Sequence, residues 1–268
     1  MNWQRTFAIT HKDIREVLST RQIIWPMAIV PLVFIGLMPA IIILSARYGG
    51  AGELTKAVEK FPPVLIQQLA HFNDIQKVIY FSVVYLLAPF FLIIPMMVST
   101  MISANSFAGE KERKTLEGIL YTPVTDAELI FGKATASLIP AIIISLAGFA
   151  IYSTIVNILA YPVFNRLFFP TLNWWVMILW LVPILSFLVI GLVVIISAKV
   201  RGYQEANSIA GAVVLPIVLI TLGQVSGVMY LSTPIVFLTG LVLLIIDALL
   251  LRFIVSIFHR DRLIEYIK

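Results

Sequence analysis

Hydrophobic residues in this chain run in long blocks, with polar residues collected into the stretches between them. A helix needs about 20 apolar residues to cross a hydrocarbon layer roughly 30 Å thick. Six blocks meet that requirement: Ile23 to Ala46, Val78 to Ser103, from just after Lys133 to Ala160, Trp174 to Ala198, Asn207 to Tyr230, and Thr233 to Phe258. The pattern predicts an all-α integral membrane protein with six transmembrane helices. Only a few residues around Leu231 to Pro234 can form the turn between the last two blocks, which leaves little chain for a re-entrant segment there. Ahead of the first block, Trp3, Phe7, Ile14 and Leu18 fall on one helical stripe, with Arg5, Lys12, Arg15 and Arg21 mostly off it. Residues 1–22 therefore read as an amphipathic helix lying in the interface, the alternative being an ordinary short soluble helix. They lack the short basic patch and apolar core of a cleavable signal. Residues 23–268 read as one six-span domain.

Composition agrees with the pattern. Of 268 residues, 60% are hydrophobic and 12% charged, where soluble domains run at about 45–50% and about 25%. The mean hydropathy is +0.99. These values exclude a soluble enzyme, a disordered chain and a nucleic-acid-binding domain. The absence of cysteine removes disulfides, thiolate metal sites and cysteine nucleophiles.

The net charge of +5 is unevenly spread. Arg5, Lys12, Arg15, Arg21, Lys111, Arg113, Lys114, Lys133, Lys199, Arg201, Arg260, Arg262 and Lys268 fall in the N-terminal arm, the second-to-third connection, the fourth-to-fifth connection and the tail. Only Arg47, Lys56, Lys60, Lys77 and Arg166 fall on the other side. Positive residues favour the cytoplasmic face, so both termini are expected there, in a cell (plasma or inner) membrane. The extracytoplasmic segment 47–77 then begins with glycines and reads as a short amphipathic helix broken at Pro62 and Pro63. The second outside connection carries Tyr161, Phe164, Phe168 and Phe169, followed by Trp174 and Trp175. This reads as an interfacial aromatic belt, with a ligand-binding aromatic patch as the alternative.

The stretch from Ser103 to Lys133 is far longer than a simple connection requires. It holds alternating charge from Glu110 to Glu117, then an apolar face of Leu116, Ile119 and Leu120, closed by Thr122 and Pro123. Asp126 is placed to cap a further helix leading into the third block. The expected element is a short helix, about residues 108–122, lying off the membrane and suited to docking on a second protein. The alternative is a solvated charged loop.

The run G-E-K-E-R-K-T-L-E-G-I-L-Y-T-P-V-T-D-A-E-L-I-F-G-K resembles the signature loop of ABC transporter type-2 permeases, the membrane subunits of ABC exporters. The matching positions include Glu110, Glu112, Arg113, Thr115, Leu116, Glu117, Leu120, Pro123, Glu128, Gly132 and Lys133. Many members carry Gly where Lys114 stands. The resemblance implies that a cytoplasmic ABC ATPase, in two copies, grips this coupling helix. It also implies a second permease subunit, identical or homologous, and alternating access driven by ATP. Gln204-Glu205-Ala206-Asn207 is similar to a subgroup that includes sodium and drug efflux permeases. The short join at 231–234 has no room for the re-entrant helices of polymer exporters, which argues against a large polymer as substrate. No G-x-x-x-x-G-K-[ST] run is present, so the chain is not expected to hydrolyse ATP. ATP and Mg²⁺ would serve the partner, and no cofactor or metal is expected on this chain.

Polar residues inside the blocks are costly and therefore candidates for function. Asp247 is the acidic residue well inside a span. It reads either as part of a translocation path or cation site, or as a packing contact to Arg252 or a hydroxyl. Ser99 and Gln224 are further candidates for the path. Gly223 and Gly227 form G-x-x-x-G and, with Gly211, mark the fifth span for close helix packing, within the subunit or at a permease seam. An intramembrane enzyme would need a nucleophile–base pair or metal cluster, yet His11, His71 and His259 all lie outside the blocks. The remaining alternative is an ion-gradient-driven secondary transporter, or another polytopic protein without an ATPase partner; no internal repeat supports it.

Overall fold

The structure, a computed structural model, describes residues 2–49, 67, 69–115, 124–225 and 231–257. Leu116, Glu117, Leu120 and Pro123 of the coupling helix, Gly227, most of the 47–77 segment and the tail from residue 258 lie outside the described residues. Every regular element among the described residues is helical. Helix α1 covers Trp3–Ser19. Among the described residues, six further helices are long and apolar enough to cross a membrane: α2 (Arg21–Tyr48), α3 (Asp74–Glu112), α4 (Asp126–Phe164), α5 (Leu172–Lys199), α6 (Tyr203–Gln224) and α7 (Thr233–Ile257). The chain is a multi-pass, all-α integral membrane protein.

Helix α3 is central. Of its most apolar stretch 78% is buried, against 61% for α5 and 17–28% for the other spans. A helix that is apolar all round belongs inside a bundle. Its carbonyl ladder is interrupted by wide π-turns at Ser82–Leu86, and Pro89 has no N–H to return to the Tyr85 carbonyl. Three other helices satisfy the freed groups. Tyr152 Oη donates to the Val83 carbonyl at 2.8 Å and Trp174 Nε1 to that of Val84 at 3.0 Å. The Gln224 amide donates to that of Tyr85 at 3.1 Å, and its oxygen accepts from the Leu231 N–H at 3.2 Å. Tyr152 and Trp174 stack with centroids 4.7 Å apart, beside Phe91 and Phe149.

This aromatic core revises the expected belt. Phe164, Phe169 and Trp174 point inward, while Tyr161 and Trp175 remain exposed. Inward rings gain both burial and edge-to-face contacts, which the belt cannot offer all of them.

Helices α3 and α4 have 39 residues each, about 58 Å of rise. Both therefore project well past the hydrocarbon at the end carrying residues 104–112 and 126–135. The long connection expected between the second and third spans is thus mostly helix. Glu110 to Glu112 prolong α3 rather than opening a separate element, because no residue from Ser103 to Glu112 stops a helix. At α4 the cap is Thr125, one residue before the expected Asp126. The Thr125 hydroxyl accepts from the Glu128 N–H at 3.3 Å, and Glu128 accepts from the Thr125 N–H at 3.1 Å. Such a reciprocal T-x-x-E box satisfies two end groups, which a lone aspartate cannot.

Helix α1 packs along the projecting part of α4, with Thr6, Thr10, Asp13 and Val17 buried. Gly132 permits the approach: a Cβ there would sit 3.1 Å from the Thr6 carbonyl and from Ile9. The Thr10 hydroxyl donates to the Gly132 carbonyl at 2.9 Å. The predicted stripe turns off the bundle, leaving Trp3, Phe7 and Leu18 exposed and Ile14 half-buried.

Candidate functional site

The projecting ends of α3 and α4 meet α1 around a buried ionic cluster. Lys133 is fully buried, and Glu110 and Asp13 are nearly so. The Lys133 ammonium lies 2.6 Å from a Glu110 carboxylate oxygen, 3.4 Å from Asp13, and donates to the Ser106 carbonyl at 2.6 Å. The Ser106 hydroxyl donates to Asp13, and Lys12 reaches the second Glu110 oxygen. Arg113 lies 2.5 Å from Glu16, whose carboxylate also accepts from Asn105 at 3.4 Å. Three carboxylates thus face three cations. Oxygens of Asp13, Glu16 and Glu110 fall within 4.8 Å of one another, a spacing compatible with a metal ion. The Lys133 and Lys12 ammonium groups neutralise that spot instead, and the cluster has no surplus negative charge for a divalent ion. Burial works against the charge on Lys12, but its bond to Glu110 and the field of Asp13 outweigh that and raise its pKa above the ordinary lysine value.

Consecutive side chains of the last turn of α3 point to different neighbours. Glu110 binds Lys133 of α4 and Lys12 of α1. Lys111 donates to the carbonyls of Ala198 and Val200, at 3.2 and 3.0 Å, and so caps the end of α5. Glu112 accepts from the Tyr203 N–H at 2.9 Å, at the first turn of α6, where a negative charge is favoured. Arg113 returns to Glu16 of α1. The helix then stops at Lys114, whose φ of 55° is left-handed, and the Thr115 N–H bonds back to the Glu110 carbonyl at 3.0 Å. Glycine adopts that conformation without strain, whereas a lysine carries a backbone cost there. One helical turn therefore ties α1, α4, α5 and α6 to α3.

The sequence-derived residues separate into distinct places. Glu110, Glu112 and Arg113 meet in this turn, and Thr115 ends it. Glu110 faces inward and Arg113 is half-exposed. Ser99 is buried in α3, and its hydroxyl has no hydrogen-bond partner among the described residues. Gln224 is taken up by the Tyr85 and Leu231 backbone. Asp247 is buried on α7, with Oδ1 unpartnered, and no ion pair joins it to Arg252. α7 packs on α5: Trp180 Nε1 donates to the Phe237 carbonyl at 3.2 Å and Gly191 faces Leu250 and Ile254. A Cβ at Gly211 would meet nothing within 4 Å, so this chain leaves that face of α6 open. Neither Asp13 nor the structural part of Gly132 and Lys133 is apparent from the sequence alone. The available signal was the G-K pair beginning an apolar block, together with an aspartate opposite the apolar stripe of α1.

The fold and this site define a six-span membrane protein with a charged, multiply anchored turn on its central helix. A family model described as ABC-2 family transporter protein matches residues 7–262. The chain belongs to that family and is the membrane domain, or permease subunit, of an ABC transporter. Among curated proteins, none matches it.

Proposed function

We propose that the chain exports its substrate by alternating access, driven by a separate ABC ATPase docked at the 113–125 connection. The charged end of the bundle is then the cytoplasmic one, since it gathers the Lys and Arg residues that favour that side. The exposed apolar stripe of α1 lies in the interface beside it. Two ATPase copies and two permease subunits complete the transporter, with the open face of α6 around Gly211 offered to the second permease. Asp247 and Ser99 are the groups proposed to meet substrate, because each keeps a buried oxygen without a partner.

The observation that carries this reading is the last turn of α3. A partner that displaces residue 113 onward moves Glu110, Lys111 and Glu112 with it. These side chains hold α1, α4, α5 and α6. Coupling of this kind needs a two-state element that both sites bias. The turn provides the link by which the ATPase would bias it.

The test is co-purification. With the ATPase co-expressed, Leu120→Asp is expected to lower its recovery with the permease about tenfold, and Glu117→Gln by a smaller factor. Unchanged recovery of the ATPase with both variants would remove the docking assignment.

A further inference from the structure

At the end of the bundle opposite the charged turn, Leu69, His71, Phe72, Tyr80, Arg166, Leu167 and Phe168 line a half-open cleft of about 330 Å³, with His71 and Arg166 exposed at its mouth. That is within the size range of small-molecule sites, roughly 300–1,000 Å³. Its walls are held in place. Phe72 packs on Tyr80 and Phe164, with centroids 5.3 and 5.5 Å apart, and Phe168 stacks on Phe164 at 4.3 Å. The loop carrying Arg166 is pinned at both sides. Asn165 closes α4 in a left-handed conformation, and the Asn157 amide exchanges hydrogen bonds of 2.6 and 3.3 Å with the Phe169 backbone. Gln76 ties the start of α3 to the Val163 carbonyl at 3.0 Å.

The polar groups of the cavity are a guanidinium, an imidazole and a phenol. No carboxylate among the described residues pairs with Arg166. Leu167, immediately beside it, is 71% exposed and gives the mouth an apolar lip. Fixed aromatic walls, a guanidinium with an imidazole at the rim, and an apolar lip suit one kind of guest. The geometry points to a binding site for an anionic amphiphile, with its phosphate or carboxylate on Arg166 and His71 and its apolar body against Phe72, Tyr80 and Phe168. Arg binds such oxyanions bidentately. The site is separate from the ionic cluster and does not depend on ATPase coupling.

The probes are phosphatidylglycerol, phosphatidylcholine and inorganic phosphate, added to the full chain in neutral detergent micelles. Retained lipid is counted per chain, and protection is read as the shift in thermal midpoint. Phosphatidylglycerol is expected to be retained at about one molecule per chain and to raise the midpoint, whereas phosphatidylcholine does neither. Arg166→Gln is expected to weaken retention about tenfold, the loss of one charge-assisted contact, and Arg166→Lys less. Arg47→Gln, at the same end but outside the cavity, leaves it unchanged. Phe168→Ala lowers retention with the charge intact. Protection by inorganic phosphate that Arg166→Gln abolishes also supports the anion site and assigns it a soluble ligand. Equal retention of both lipids, or retention indifferent to Arg166, overturns the proposal.

Discussion

Lys133 and Glu110 meet at 2.6 Å inside the protein, joining the central helix α3 to the base of α4 where both project beyond the hydrocarbon. An ammonium group and a carboxylate removed from water are costly to bury and costly to separate. Asp13 and the Ser106 carbonyl complete the shell around Lys133, so the amphipathic α1 is fastened at the same point. The contact therefore sets the relative position of three helices.

Removing one side of this contact leaves uncompensated charge. Lys133→Met is expected to destabilise the protein by about 3–5 kcal/mol. The double change Lys133→Met and Glu110→Gln is expected to recover most of that loss, because Asp13 and Glu16 then face Lys12 and Arg113 with no surplus charge. Thermal unfolding in detergent, followed by helix content, compares the two.

Lys114 occupies a conformation suited to glycine. Lys114→Gly is expected to be neutral or to stabilise by up to about 1 kcal/mol, by relieving the left-handed penalty. Lys114→Val is expected to destabilise by about 1–2 kcal/mol, since a β-branched residue tolerates that conformation least. The same unfolding measurement ranks the three proteins.

Lys12 gains from Glu110 and Asp13 in the folded state, so its folded pKa stands above its unfolded value near 10.5. A group raised in this way stabilises fully below the unfolded pKa, and the contribution fades as pH rises through the folded one. Thermal midpoints of the parent and Lys12→Gln are therefore expected to differ by a constant amount from pH 7 to pH 9. They should converge above about pH 10.5.

Asp247 separates structure from transport. Asp247→Asn preserves shape and removes a buried acid with an unpartnered oxygen, so stability is expected to hold or rise slightly. Transport into inverted vesicles is expected to fall at least tenfold if Asp247 meets substrate. An unaltered transport rate and cation dependence would take it off the path.

The six spans were legible because length and apolar content alone decide whether a helix can cross a bilayer. The amphipathic stripe of α1 was legible too, from spacing. Its other face was not: Asp13 looks like any polar residue of a surface helix until Lys133 and Ser106 are brought to it across more than ninety residues of sequence. From sequence Glu110 is expected on the coupling helix, facing the ATPase, yet the extension of α3 turns it inward. Gln224 read as a polar residue in search of a cavity. Its part depends on Pro89 freeing a carbonyl on another helix, a relationship no local pattern contains. In the same way, His71 and Arg166 share a cavity only because α3 and α4 run antiparallel.

The last turn of α3 is proposed to carry ATPase motion into the bundle. The most direct test is substrate transported per ATP hydrolysed in proteoliposomes holding the permease with its ATPase. Glu112→Ala cuts the contact to the Tyr203 N–H without touching the ionic cluster. The prediction is that the ATPase still co-purifies and hydrolyses ATP, while transport per ATP falls at least fivefold. A ratio equal to that of the parent, with the Glu112–Tyr203 contact gone, would contradict it.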